Sequence, residues 1–250
     1  MLANLLIGLR EGLEAALVIG ILVAYLVKSD RRDMLRWVWS GVGAAIAVSV
    51  GIWALITFTA NGMDDEGQEI FAGALSLGAV ALVTWMILWM RTAARTLRAD
   101  LGGKLDKALI AGPAAVLATS FLAVAREGVE TALFLWSSMR ASGNTVPGAL
   151  GAVLGLGAAV GLGFLIYRGA LRVNLATFFT WTGVALIAVA AWVLAYGVEE
   201  LADAGAIPEV EWLIPVLAVG YAAVMAYLFF RRGSARPPTL RAAAPGAVGH

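Results

Sequence analysis

Apolar residues in this chain come in long runs, broken by short polar segments, rather than in the one-sided stripes of surface helices. Seven windows approach the roughly 20 apolar residues that a helix needs to cross a bilayer. They are 2–27, 37–60, 70–90, 112–139, 146–167, 175–198 and 212–230. The connections are short, so the pattern predicts one compact domain, an all-α integral membrane protein of seven transmembrane helices over residues 1–230. No Lys or Arg precedes Arg10, so the positive start of a cleavable signal is missing and the first window reads as a retained span. Residues 231–250 carry Pro237-Pro238 and few large apolar side chains, and are expected to form a disordered tail.

Charge placement adds an orientation. The segments 28–36, 91–107 and 168–172 and the tail after 230 hold fifteen of the 18 Lys and Arg. The intervening segments 61–69, 140–145 and 199–211 hold one, Arg140, together with nine of the 17 acids. Basic loops stay on the cytoplasmic side, so the N-terminus is expected outside and the C-terminus in the cytoplasm. Spans 1–3 (repeat one, about 1–91) and 4–6 (repeat two, about 110–198) then run in opposite senses. This is an inverted three-plus-three repeat with the window 212–230 added, a recurring transporter plan with its site at the repeat interface.

Composition narrows the chemistry. The chain is 61% hydrophobic and 14% charged, against about 25% charged residues in soluble domains; a nucleic-acid partner is not expected, and membrane lipid is. There is no cysteine, and the one histidine is His250. Disulfides and thiolate sites are excluded and a His-rich metal enzyme is not expected, so any metal must take oxygen ligands, which suit hard cations. No permanently bound cofactor is expected.

Two copies of one charged pentapeptide stand inside the apolar runs: Arg10-Glu11-Gly12-Leu13-Glu14 and Arg126-Glu127-Gly128-Val129-Glu130. A charged side chain at bilayer depth costs roughly 3 kcal/mol or more, so six of them mark a polar path or binding site. On a helix each set of three charges falls within an arc of about 100°, and the glycine among them admits close approach by another helix or a hydrated ion. Two facing copies carry net −2 when fully ionised, a repulsion that a hard cation relieves. Arginine–carboxylate locks within each helix are the structural alternative, yet each motif has a second carboxylate that a lock does not need. A proton-conducting or proton-coupled component using the same Glu/Arg relay is the functional alternative. An intramembrane di-iron enzyme is disfavoured, because such bundles use Glu-x-x-His pairs.

These motifs, on spans 1 and 4 of a seven-span chain, resemble those of the oxidase-dependent iron transporter family, which includes the fungal high-affinity iron permeases and the bacterial EfeU-type permeases. The resemblance covers nearly everything up to residue 230. It implies a high-affinity iron permease of the inner (cytoplasmic) membrane, with iron as transported substrate, ferric in the expected form, and an oxidase or periplasmic iron-handling protein as partner. It implies Glu11, Glu14, Glu127 and Glu130 as ligands along the path, with Arg10 and Arg126 in the same motifs and Gly12 and Gly128 as the close-approach positions. It also implies capture of iron by outer acids. Glu66-Gly67-Gln68-Glu69, preceded by Asp65, fits an E-x-x-E motif at the mouth of span 3, and Glu199-Glu200-Leu201-Ala202-Asp203 more loosely resembles the acidic segment after span 6. Solvated loop acids are the plain alternative for these, and for Glu209 and Glu211. An anionic mouth would concentrate cations.

Other signals are structural. Gly148, Gly151, Gly155, Gly157, Gly161 and Gly163 predict close helix packing, within the bundle or in a homo-oligomer. Trp37, Trp39, Trp85, Trp89 and Trp212 fall near span ends, as aromatic belts do. Met86, Met90 and Met139 read as packing residues, and Pro113 as a helix start. The basic segment 91–107 reads as a cytoplasmic anchor that touches anionic lipid.

Overall fold

The computed structural model describes residues 1–93, 97–143, 145–169, 174–208, 210 and 212–233, and the side chains of all of these except 89–93, 97–100, 175, 176, 232 and 233. Glu209, Glu211 and the tail beyond 233, and the side chains of Trp89 and Met90, therefore lie outside what is described. The described residues form eight α-helices: α1 (Leu2–Lys28), α2 (Leu35–Asn61), α3 (Asp65–Ala93), α4 (Leu97–Ala111), α5 (Pro113–Ala141), α6 (Thr145–Tyr167), α7 (Leu175–Asp203) and α8 (Leu213–Gly233). A short 3-10 turn, Arg32–Met34, precedes α2.

Among the described residues, five stretches are long and apolar enough to cross a membrane: Arg32–Asn61, Asp65–Leu88, Thr145–Tyr167, Thr177–Asp203 and Leu213–Arg231. Helices α1 and α5 are as long, at 27 and 29 residues, or about 40 Å at 1.5 Å per residue. What sets them apart is the three motif charges that each carries mid-length. Outward-facing side chains are large and apolar along the outer helices, Phe58, Val153, Val160 and Val219 among them. The polar side chains that are buried lie inside the bundle, the reverse of a soluble protein.

The helix pairings have a two-fold pattern. The most extensive contacts are α1 with α6 and α2 with α5; next come α3 with α7 and α1 with α5. Exchanging α1 with α5, α2 with α6 and α3 with α7 turns the first pairing into the second and leaves the other two unchanged. The start of α1 and the end of α5 share one apolar cluster, through Ile7, Phe134, Leu135 and Met139. The end of α1 and the start of α5 share another, through Leu22, Leu26, Val116 and Val124. The central pair is thus antiparallel.

Glycine sets how closely the pairs approach. A Cβ on Gly155 would lie 2.8 Å from the Leu9 backbone nitrogen, and one on Gly163 would lie 2.6 Å from Ala16 Cβ. Gly148 and Gly151 face α1 in the same way, whereas Gly157 and Gly161 have nothing within 4 Å. The glycine-rich span is therefore a packing seam against α1, as expected. Met86 and Met139 are core residues of the apolar cluster.

One element was not expected. The basic segment 91–107, read as a cytoplasmic anchor, contains most of α4. Its Leu101, Leu105 and Ala108 are spaced as one helical face and pack beneath Leu22, Leu26 and Val116. Tyr25 donates a hydrogen bond to Asp106 across this contact.

Candidate functional site

The two motifs meet where α1 and α5 cross. In α1 the Arg10 Nε lies 3.2 Å from Glu14 Oε1 and the Arg10 Nη1 lies 3.7 Å from Glu11 Oε1. In α5 the same four-residue step recurs: Arg126 Nε lies 3.1 Å from Glu130 Oε1. The spacing produces this directly, since residues four apart are neighbours on a helix surface. Both arginines use the same nitrogen towards the same carboxylate position, so the two pentapeptides are structural as well as sequence repeats.

Their surroundings differ. The Arg10 side chain is 2% exposed and the Arg126 side chain 39%. The Arg126 guanidinium carbon stands 6.0 Å from the centre of the Trp85 ring. Glu11, Glu14 and Glu130 are buried and Glu127 is half-buried. Glu11, Glu14 and Glu127 each offer a carboxylate oxygen, all within 4.8 Å of one another. Three acids from two helices thus converge on one point, while Glu130 is turned to Arg126. Both oxygens of Glu11 and Oε2 of Glu130 lack a hydrogen-bond partner among the described residues. Buried carboxylate oxygens left in this state are costly, and a cation at the convergence point would satisfy those of Glu11. With three converging carboxylates and no His or Cys among the described residues of the cluster, this donor set suits a hard cation.

The motif glycines serve helices. A Cβ on Gly12 would lie 2.8 Å from Ala159 Cβ of α6, and one on Gly128 would overlap the Ser49 hydroxyl of α2. Gly12 therefore seats α6 behind α1, and Gly128 seats α2 behind α5, which lets the carboxylates of each motif face the opposite motif.

At the end of the bundle formed by the start of α3 and the ends of α5 and α7 lies a polar pocket of about 180 Å³. It is lined by Asp65, Gln68, Glu69, Arg140, Tyr196 and Glu200, with Ala72 behind them. The steps 65, 68, 69 and 72 on α3 and 196 and 200 on α7 each mark one helix face. Of the candidate capture residues, Asp65, Glu69 and Glu200 line this pocket. Glu66, Glu199 and Asp203 are exposed outside its lining. Asp64 is absorbed otherwise: its carboxylate accepts a hydrogen bond of 3.1 Å from the Gly67 backbone N–H and caps α3. Arg140 and Tyr196 are pocket residues that the acid pattern did not single out. Arg140 had a signal, as the one basic residue on an acidic face; Tyr196 had none short of knowing that α7 runs on to Asp203.

Comparison with known proteins gives a family. Residues 1–213 match the iron permease FTR1 family. The ferrous iron permease EfeU of Escherichia coli O6:H1 (strain CFT073) is 38% identical over 208 residues, 82% of this chain and 75% of that protein. The protein of the same name from Escherichia coli O157:H7 has the same identity and coverage. That from Yersinia pestis is 35% identical over 208 residues, 82% of this chain and 73% of its own length. No solved structure matches the chain.

Proposed function

The chain belongs to the iron permease FTR1 family, and on that premise we propose that iron crosses the membrane through the carboxylate cluster where α1 and α5 meet. It is a permease rather than an enzyme, and its long apolar helices make it a multi-pass membrane protein. In the proposed arrangement α1 and α5 are spans as well, giving seven with α4 lying at one end. Helices α1–α3 and α5–α7 are the inverted repeats and α8 is the addition. The exchange pattern of helix contacts supports this, as does the placement of basic residues. On this reading positive-inside sorting has the polar pocket facing outside and α4 the cytoplasm, and the inner membrane is taken as the location from the family resemblance.

The observation that carries the reading is the convergence of Glu11, Glu14 and Glu127 within 4.8 Å inside the bundle. Arg10 pairs with Glu14 and Glu11, and Arg126 with Glu130, which offsets part of their charge. The cluster therefore attracts a multivalent cation without binding it so tightly that it cannot leave, which conduction requires. Asp65, Glu69 and Glu200 collect the ion at the mouth. The relatives' shared name points to iron supplied in the ferrous state, whereas the motif resemblance implied ferric iron from an oxidase partner. We take ferrous iron as the supplied form.

The test is radiolabelled iron uptake into proteoliposomes, with ferrous and ferric iron supplied separately, by the wild type and by Glu14→Gln/Glu127→Gln. Ferrous uptake that the double variant loses is the expected result. Undiminished uptake by that variant removes the cluster from the path. Uptake of ferric iron alone reverses the assignment of the supplied form.

A further inference from the structure

Hydroxyls inside these helices have a common resting state. Those of Ser49, Thr84, Thr119, Ser120, Thr131 and Thr182 each donate to a backbone carbonyl four residues earlier, the usual arrangement for Ser and Thr within helices. Three serines depart from it. The Oγ atoms of Ser76, Ser137 and Ser138 are fully buried and have no hydrogen-bond partner among the described residues, and the same is true of Asn4 Oδ1. Asn4 and Ser138 are 1% exposed, and Ser76 and Ser137 are 0%. Buried polar atoms in this condition are uncommon and call for an explanation.

Their placement supplies one. Asn4 stands seven residues before Glu11, and Ser137 seven residues after Glu130. Seven residues return to the same helix face about 10 Å along the axis. Because α1 and α5 are antiparallel, both steps lead the same way, towards the mouth. Ser76 stands seven residues after Glu69, on the face of α3 that lines the polar pocket, and abuts α7 at Gly197. Ser137 is the one polar residue lining a small, otherwise apolar cavity between α1, α3, α5 and α7, with Ile7, Val83 and Phe134 among its walls. By these steps the four unpartnered groups fall at a depth between the mouth pocket and the carboxylates, with Asn4 beside Gly148 of α6 and Ser76 beside Gly197 of α7. In the other direction the buried side chains of α1 beyond Glu14 are Val18, Leu22 and Leu26. Ser120, on that side, is satisfied by its own helix.

We propose that Asn4, Ser76, Ser137 and Ser138 form a layer of neutral oxygen ligands through which the iron cation passes from the mouth pocket to the carboxylate cluster. The inference rests on the reading of that cluster as the iron path. Neutral oxygens replace part of an ion's hydration shell while adding no charge to hold it, so the layer speeds transfer between two anionic sites without becoming a third trap.

The chain contains no cysteine, so single cysteines report unambiguously. In membrane vesicles, Ser137→Cys and Ser76→Cys are expected to react with a cationic methanethiosulfonate added from the mouth side, and iron is expected to slow the reaction. Ser120→Cys is the unreactive control. Separately, Asn4→Leu/Ser137→Ala is expected to lower maximal iron uptake roughly tenfold, the effect of losing about 1.4 kcal/mol of contact to a charged ion. Ser137→Thr, which keeps the hydroxyl, is expected to retain uptake. Glu14→Gln is run alongside. If Glu14→Gln has lost uptake while Asn4→Leu/Ser137→Ala transports normally and neither cysteine reacts, the layer is wrong and the carboxylate path stands. If Glu14→Gln also transports normally, both are wrong.

Discussion

Arg10 Nε lies 3.2 Å from Glu14 Oε1, with both side chains almost wholly withdrawn from the surface. The matching pair on α5 has an arginine that is 39% exposed. Removing one partner of a buried pair costs about 3–5 kcal/mol, because the other charge is left uncompensated. The α5 pair lies between this and the roughly 0–1 kcal/mol of a fully exposed pair, because Glu130 is buried and only Arg126 is partly exposed. Arg10→Leu is therefore expected to lower the unfolding temperature and reduce protein in the membrane more than Arg126→Leu does. Thermal unfolding of the two purified variants checks this; equal losses would mean that the two motifs share one environment.

The three converging acids and Glu130 have distinct roles in the proposed path. Single Glu11→Gln, Glu14→Gln and Glu127→Gln variants are each expected to reduce uptake at least about tenfold, the effect of losing a charged contact of about 1.5 kcal/mol or more. Glu130→Gln releases Arg126 towards the cluster and is expected to abolish uptake too. Pairing it with Arg126→Gln should restore part of the activity. Uptake rates normalised to protein in the membrane decide, and a double variant no better than Glu130→Gln would make Glu130 a direct ligand.

Much of this was legible in the sequence, because apolar runs and buried charges are strong signals. The window 37–60 became Leu35–Asn61 and 146–167 became Thr145–Tyr167. The ends were less legible where charges follow. Helix α3 starts at Asp65 rather than residue 70, and α7 runs to Asp203 rather than 198. Glutamate is a good helix former, so a charge marks where apolar surroundings end without ending the helix. That extension is what carries Glu69 and Glu200 to opposite walls of one pocket. Helix α4 was missed because its apolar face is only Leu101, Leu105 and Ala108 in a basic segment. The unequal exposure of Arg10 and Arg126 was beyond reach, since two identical local patterns differ only in the helices packed around them.

The glycine of the first motif can be tested by exchange. Gly12→Ala places a methyl against Ala159, and overpacking of this kind costs about 1–3 kcal/mol. Ala159→Gly removes the opposing methyl. The double variant Gly12→Ala/Ala159→Gly is expected to regain part of the stability lost by Gly12→Ala, since Leu156 Cδ2 still lies 3.1 Å from the added methyl. A double variant with the two single losses simply added would show that no contact exists there.

The mouth pocket sorts the outer acids. Glu69→Gln/Glu200→Gln is expected to raise the half-saturating iron concentration about tenfold, with maximal uptake little changed, because steering by an anionic mouth acts on the arrival rate. Glu66→Gln/Glu199→Gln, outside the pocket, is expected to shift it much less, and added salt should shrink both effects. Concentration dependence measured at two ionic strengths distinguishes them; equal shifts would make the acids a diffuse surface field rather than a site.

The central claim is that carboxylates from α1 and α5 jointly hold the transported ion. Equilibrium iron binding to the purified protein, combined with X-ray absorption at the iron edge, tests it most directly. The expected result is iron surrounded by oxygen ligands alone, with binding lost in both Glu14→Gln and Glu127→Gln, one variant from each helix. Iron retained at full occupancy in either variant, with an unchanged absorption spectrum, would contradict it.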